Sequence, residues 1–191
     1  MSSLRADFDE LVRRIDAGRE FSHASYEPIY YLVFHPRETL EVKRQIPAWT
    51  ARLEIAGWHV KTFSIAKHIN DILHSAPMRK VWIAADAKAP LDWEKTNKSL
   101  GNALTGRDQL KKRLQAFIEA HKEDLNAIIL VTDIEALHPY LRIGAIEAQL
   151  QGEFHIPTIF FYPGARTGKA RLRFLGFYPE DGNYRSVHVG G

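Results

Sequence analysis

The sequence predicts an α/β fold: a three-layer domain with a mainly parallel sheet and a C-terminal antiparallel hairpin. Three apolar runs without polar alternation, at residues 29–34, 127–131 and 158–162, are typical of strands covered on both faces. Amphipathic helical patterns lie between these runs. Near the C-terminus, apolar and charged residues alternate over residues 171–176, which indicates a half-exposed strand.

The first part of the chain predicts a β-α-β-α order after one amphipathic helix, which we expect to end near Gly18. After the strand at 29–34, apolar residues at helical spacing predict a helix over residues 37–57. Proline lacks an amide donor and clashes with an earlier carbonyl, so we expect either a kink near Arg44 or a fresh helix start with Pro47 in its first turn, and we favour the kink. Residues 58–63 predict a second strand, and Ser64 is a suitable N-cap for the helix that follows.

The middle of the chain is harder to interpret. Residues 77–105 predict an irregular or helical insertion, because the apolar run at 81–85 fits a strand or a helix and later Pro, Gly and Asn residues break the period. A helical stripe over 110–121 and the buried strand at 127–131 follow. We expect the next helix to begin near Pro139, since proline is tolerated in a first turn, and to reach Leu150.

The C-terminal part predicts a strand at 158–162 that is closed by a turn at Pro163-Gly164. Gly164 and Gly168 are expected to adopt backbone conformations that other residues avoid. A second turn near residues 181–183 leads into a last strand over 184–189. No linker or repeat divides the sequence, so we predict a single domain over residues 1–191.

Composition excludes several classes of protein. The sequence contains 26 Lys and Arg and 23 Asp and Glu, so the formal net charge is only +3, which is too small to indicate nucleic-acid binding by itself. There is no cysteine, which excludes disulfides, thiol nucleophiles and Cys-ligated metals. The first residues do not resemble a signal peptide and no apolar run approaches membrane-spanning length. We therefore expect a cytoplasmic protein with no membrane contact.

No catalytic constellation stands out, and we predict neither an enzyme nor a cofactor. The segment from Gly164 to Lys169 resembles a phosphate-binding P-loop, but its glycines are one residue too close and a strand pattern follows where a helix is required. His68 and His74 would point about 120° apart on a helix, so a metal site there is not expected. Asp133, Glu135 and His138 could also form a metal site, but the sequence carries no spacing motif that indicates one.

The carboxyl ends of the strands would bring His35, Ser64 and Asp133 together, although capping and packing are the favoured roles for these residues. Arg142 is the residue we single out as a binding site. Its guanidinium could grip a carboxylate or phosphate, or form an internal salt bridge to Asp133 or Glu135, and the sequence does not decide between them.

Basic residues cluster in the predicted hairpin, and a nucleotide- or nucleic-acid-binding module that uses Arg142, Arg166, Lys169 and Arg171 is the alternative function. Alternation places Arg171 on the outward face of its strand, as in any edge hairpin protected by charge. A charged edge that is solvated or faces a protein is therefore the favoured interpretation.

Several short segments in a fixed order carry a resemblance to a known family: Tyr30-Tyr31-Leu32-Val33-Phe34, Glu41-Val42, His138-Pro139-Tyr140-Leu141-Arg142, Ile156 through Pro163-Gly164, Gly168, Leu172-Arg173-Phe174-Leu175-Gly176 and Tyr184-Arg185. In this order the sequence resembles the BrxB family of BREX bacteriophage-exclusion systems. The resemblance implies a Rossmann-like fold and an antiviral-defence component that acts by protein–protein interaction, without assigned catalysis. It also implies a PglZ-type protein and other BREX components as partners, with any contact to DNA being indirect.

Overall fold

The computed structural model describes residues 3–20, 27–168, 171–182 and 186–191. Its centre is a seven-stranded sheet in which five strands run parallel in the order β2-β3-β4-β1-β7. β5 and β6 extend the sheet as antiparallel neighbours of the last part of β4. The strands are β1 (Ile29–Phe34), β2 (His59–Ser64), β3 (Ala127–Thr132), β4 (Thr158–Thr167), β5 (Arg171–Phe174), β6 (Glu180–Gly182) and β7 (Val187–Gly190).

Among the described residues, seven α-helices accompany the sheet, and short 3₁₀ turns at Pro36–Glu38, Gly106–Asp108 and Ile134–Leu137 connect some of them to their neighbours. The helices are α1 (Leu4–Glu20), α2 (Thr39–Ile55), α3 (Ile65–Ser75), α4 (Arg79–Lys88), α5 (Trp93–Thr105), α6 (Gln109–Glu119) and α7 (Ile143–Gln149). No helix in the described ranges is long and apolar enough to span a bilayer.

The core has two halves, one on each face of the sheet. Residues of α1 and α2 pack against one face, where Phe8 and Trp49 stack with ring centroids 4.5 Å apart. Residues of α3, α6 and α7 cover the other face around Tyr31 and Phe160. Every residue of β1 and β3 is buried, because both strands are covered on both sides. The three-layer α/β fold with a mainly parallel sheet is therefore confirmed.

Two helix ends lie where the sequence predicts them, the start of α3 and the end of α2. The Ser64 hydroxyl accepts a hydrogen bond from the Lys67 amide at 3.2 Å and caps α3. Gly57 follows α2 with a φ of +90°, a conformation that suits glycine at a helix end. α2 continues through Pro47 as one helix, so a fresh start at this residue does not occur.

We expected α1 to end near Gly18, but this residue lies inside the helix, which continues to Glu20. A β-carbon at this position would lie 2.7 Å from the Tyr30 hydroxyl oxygen, so glycine allows α1 to approach β1 closely. The helix expected near Pro139 begins only at Ile143. Residues 138–140 form a turn, and Arg142, just before the helix, has an extended conformation with a φ of −121° and a ψ of 138°.

The turn predicted at Pro163-Gly164 is also wrong. β4 continues through both residues to Thr167, because its second half pairs with β5. A β-carbon on Gly164 would overlap the Arg173 carbonyl oxygen and the Tyr162 ring, so this glycine permits close approach of two strands. Gly168 has a φ of +73° at the end of the strand.

The last strand is not part of the antiparallel hairpin. Residues 187–190 form β7, which pairs in parallel with β1 at the edge of the main sheet. The hairpin consists of β4, β5 and β6 instead. The predicted start of the last strand, at residues 184 and 185, lies outside the described residues.

Residues 77–105 contain α4 and α5, so the apolar run at 81–85 is helical. Both helices contact α3, and α5 also contacts α6. Within α4 the only buried residue is Trp82, whose Nε1 donates a hydrogen bond to the Ser99 hydroxyl of α5 at 2.8 Å.

Candidate functional site

The carboxyl ends of β2 and β3 bring together a polar group that we call the rim cluster: Lys43, Ser64, Thr132, Asp133 and Glu135. The Ser64 hydroxyl donates to Asp133 Oδ2 at 2.6 Å, and the Thr132 hydroxyl donates to the same oxygen at 3.0 Å. Lys43 Nζ reaches across from α2 and lies 2.8 Å from Asp133 Oδ1 and 2.6 Å from Glu135 Oε1. Every oxygen of the Asp133 carboxylate thus has a partner.

The electrostatics of the rim cluster favour its charged state. Burial raises the pKa of Asp133, but hydrogen bonds from Lys43 and Ser64 outweigh burial and hold the pKa below its usual value. Burial lowers the pKa of Lys43, and its bonds to Asp133 and Glu135 more than compensate, so the pKa is raised. An ionised carboxylate bonded to an ammonium is a poor general base near neutral pH.

His35 does not join the rim cluster. Its Nδ1 accepts a hydrogen bond from the Arg37 amide at 3.1 Å, and the Glu38 carboxylate accepts one from the His35 amide at 3.0 Å. His35 therefore caps the short 3₁₀ turn before α2, as the favoured interpretation expected. No bond between His35 and Asp133 occurs in the described part of the chain.

Arg142 lies apart from Asp133 and Glu135. Its guanidinium carbon is 3.4 Å from the Tyr178 ring centroid and 5.6 Å from that of Phe174, and the guanidinium also donates to the Leu141 carbonyl at 3.1 Å. The internal salt bridge considered for Arg142 does not form, because Lys43 occupies both carboxylates. Arg142 is held by a cation–π contact instead.

The other predicted binding residues are dispersed. Arg171 and Arg173 both pair with Glu180 of β6, at 3.5 and 3.2 Å. They alternate with Phe174, so they lie on the face of β5 opposite the one that Arg142 covers. Arg166 donates to the His188 carbonyl at 3.2 Å, and Lys169 lies outside the described residues. The structure therefore does not gather Arg142 and Arg171 into one anion site.

The possible metal ligands are also separate. His68 stacks on Phe63 with centroids 3.9 Å apart, whereas His74 contacts the Asn70 carbonyl at 3.0 Å. Asp133 and Glu135 share Lys43, and His138 bonds to the Tyr178 hydroxyl. Across the ranges that the structure describes, no group of three or more His, Asp or Glu residues is arranged to hold a metal ion.

Two buried ionisable groups lie beside Tyr31 in the interior. The Tyr31 hydroxyl donates to the Glu147 carboxylate, and burial raises the pKa of Glu147 to about 7. His188 packs edge-on against the Tyr31 ring with centroids 5.3 Å apart, and burial lowers its pKa to about 4. Burial therefore shifts both groups toward their neutral forms inside the fold.

A different region carries exposed apolar surface. Nine large apolar side chains of the described residues are exposed, and five of them lie in α4, in the turns beside it or at the first residue of α5. Val81 lies on the other side of α4 from Ile83, and we call the remaining four the α4–α5 surface: Met78, Ile83, Leu91 and Trp93. Several exposed apolar side chains in one region are typical of a binding surface.

An open groove of about 280 Å³ lies beside this surface, between α3, α4 and α5. Its apolar lining comes from Leu73, Trp82, Ile83 and Leu100, and its polar lining from Asn70, His74, Arg79, Asp86 and Thr96. Sequence reasoning missed this region because the run at 81–85 fitted either a strand or a helix. In a helix, Val81 and Ile83 point to nearly opposite sides, so both cannot be buried against the same neighbour. This conflict is the signal that could have identified the exposed surface.

Comparisons with known proteins agree with the resemblance given above. A family model described as "BREX protein BrxB" matches residues 61–189, which is more than half of the chain. The match runs from within β2 into β7 and includes the rim residues from Ser64 onward and the α4–α5 surface. No curated protein and no solved structure matches. The chain therefore belongs to the BrxB family and is a component of a BREX phage-defence system.

Proposed function

We propose that this protein is a non-enzymatic BREX component that works by binding another protein of the system, with a PglZ-type protein as the partner. The observation that carries the proposal is the concentration of exposed apolar side chains on the α4–α5 surface. Leaving these side chains in water is unfavourable, so a partner that covers them would gain free energy from their burial. The partner's identity rests on the family resemblance.

The state of the polar candidates supports an interaction role over catalysis. Lys43 and Asp133 bind each other, Arg142 lies on Tyr178, and Arg171 shares Glu180 with Arg173. A catalytic group needs an available proton or lone pair directed at substrate. These contacts would have to break before any of the four charged groups, Lys43, Asp133, Arg142 and Arg171, could take part in a reaction.

The test is co-purification. The tagged full-length protein is expressed with the other BREX proteins of its native operon, and the eluate is examined for a stoichiometric PglZ-type protein by size-exclusion chromatography. We expect a stable complex in which hydrogen–deuterium exchange slows in residues 78–93. A chain that elutes alone with the PglZ-type protein present would contradict the proposal.

A further inference from the structure

The basic charge of this protein is concentrated beside its apolar surface. Residues 78–105, which span α4 and α5, contain five Lys and Arg against three Asp and Glu, a net charge of +2 out of +3 for the whole chain. The rest of the chain therefore carries a net charge of only +1. A partner that covers α4 and α5 meets most of the protein's net positive charge.

These basic residues also lack internal partners. In the described part of the chain no ion pair involves any of the five basic residues of α4 and α5: Arg79, Lys80, Lys88, Lys95 and Lys98. Elsewhere, Lys43, Arg52 and Arg173 are each paired with a carboxylate. The charges of α4 and α5 are available to an external anionic group.

The groove between α3, α4 and α5 has the form that receives a helix. Its α4 side presents Arg79, Trp82, Ile83 and Asp86, which follow a helical i, i+3, i+4, i+7 stripe. Leu73 of α3 and Leu100 of α5 complete an apolar floor. An amphipathic helix fits such a floor with one apolar stripe, and its flanks then face the groove's charged rim.

We propose that this groove docks an acidic amphipathic helix of the partner protein. The inference rests on the proposed function and specifies the partner segment. The helix inserts apolar side chains over Ile83 and Leu100, and its carboxylates face Arg79. Asp86 lies two turns further along α4, about 10 Å from Arg79, so the partner places a basic or neutral residue there.

Two other occupants fit this surface less well. A second copy of this chain, docked through the same surface, would bring together two regions that each carry a net charge of +2, which is unfavourable. A nucleic acid would satisfy the basic residues, but it would leave the apolar floor around Ile83 without a matching surface.

Two exposed residues of α4 provide a matched pair of variants. Ile83 is 53% exposed and lines the groove, whereas Val81 is 54% exposed and does not line it. The two residues point about 160° apart on the helix. Ile83→Asp therefore introduces a carboxylate at the groove, and Val81→Asp introduces the same group at a position of nearly equal exposure on the other side of α4.

The experiment measures binding of these full-length variants and of Arg79→Glu to the purified PglZ-type protein by biolayer interferometry, with circular dichroism and thermal melts as folding controls. We expect Ile83→Asp and Arg79→Glu to weaken binding by about tenfold or more, with Val81→Asp unchanged. Hydrogen–deuterium exchange of the wild-type complex should show protection in α4 and α5, and in an acidic amphipathic segment of the partner.

The outcomes separate the two proposals. An equal loss of binding in Ile83→Asp and Val81→Asp would contradict docking in the groove but would be compatible with the proposed function. Normal binding by Ile83→Asp and Arg79→Glu, or a protected partner segment that is basic or extended, would overturn the inference alone. If the wild-type protein binds no PglZ-type protein, the proposed function and the inference both fail.

Discussion

The rim cluster and the α4–α5 surface differ in where their side chains find partners. At the rim, Lys43, Ser64 and Thr132 all bond to Asp133, so the polar groups satisfy one another. On α4, only Trp82 is buried, while apolar and basic side chains extend outward without internal partners. The difference teaches that the strand ends, where ligands of α/β proteins usually bind, are closed by their own side chains, whereas α4 and α5 leave apolar and basic side chains exposed, which is the basis of our proposal that they bind another protein.

The largest expected effect removes the anchor of α4. Trp82→Ala deletes a buried indole and its hydrogen bond to Ser99, and we expect it to destabilise the protein by about 3 kcal/mol. Urea denaturation followed by tryptophan fluorescence and circular dichroism measures the loss. Ser99→Ala removes only the bond and should cost about 1 kcal/mol. If Trp82→Ala costs no more than Ser99→Ala, α4 is not held in the way the structure indicates.

The second prediction concerns pH and the two buried groups beside Tyr31. The Glu147 pKa rises from 4.5 to about 7 on folding, so the native state keeps a proton that the unfolded state releases, and stability falls as pH rises between these values. The His188 pKa falls from 6.5 to about 4, so stability rises with pH across that window. Where the windows overlap, the two slopes oppose each other.

A variant that removes one of the two groups should reveal how the other makes stability depend on pH. Glu147→Gln leaves the His188 contribution, and stability should then increase by about 3 kcal/mol from pH 4 to 6.5. His188→Gln leaves the Glu147 contribution, and stability should decrease by a similar amount from pH 4.5 to 7. Urea melts at half-unit pH steps measure both. Identical pH profiles for the two variants would contradict the conclusion that the interior, unlike the rim, favours the neutral forms of its ionisable groups.

A smaller effect is expected at the rim cluster. Lys43→Met removes the ammonium from between Asp133 and Glu135 and leaves two carboxylates without their shared cation. We expect a loss of about 1–2 kcal/mol in the free energy of unfolding. The loss should be greatest above the Asp133 pKa and should shrink as acid protonates the carboxylates. A Lys43→Met variant as stable as the wild type would show that the rim cluster does not stabilise the fold.

The smallest effect concerns Arg142. Arg142→Ala removes the guanidinium from the faces of Tyr178 and Phe174, and we expect about 1 kcal/mol of destabilisation in thermal melts. Arg142→Lys should recover part of this stability because lysine also contacts aromatic faces. If neither substitution alters stability but both abolish partner binding, Arg142 belongs to the interaction surface and the comparison above must be redrawn.

The sequence predicted what local chemistry determines. Unbroken apolar runs identified β1 and β3, and a serine before an apolar stripe identified the cap of α3. Errors arose where distant strands decide the outcome. Pro163-Gly164 has the composition of a turn, but pairing with β5 extends β4 through it. β7 joins β1, a partner more than 150 residues away, and no local pattern encodes that choice.

The rim cluster was predicted only in part. The order of the parallel strands placed Ser64 and Asp133 at one edge, and the structure joins them. Lys43 was missed as the partner of Asp133 because its approach depends on how α2 packs on the sheet. The α4–α5 surface was missed because the sequence left the secondary structure of residues 81–85 undecided, and exposure follows only once that is known.

The central claim is that the α4–α5 surface, and not the strand-end rim, carries the function. The most direct measurement is the affinity of Ile83→Asp and Lys43→Met for the purified PglZ-type protein under identical conditions. We predict that Ile83→Asp weakens binding by about tenfold or more while Lys43→Met, although less stable, binds like the wild type. Loss of binding in Lys43→Met together with normal binding in Ile83→Asp would contradict the account.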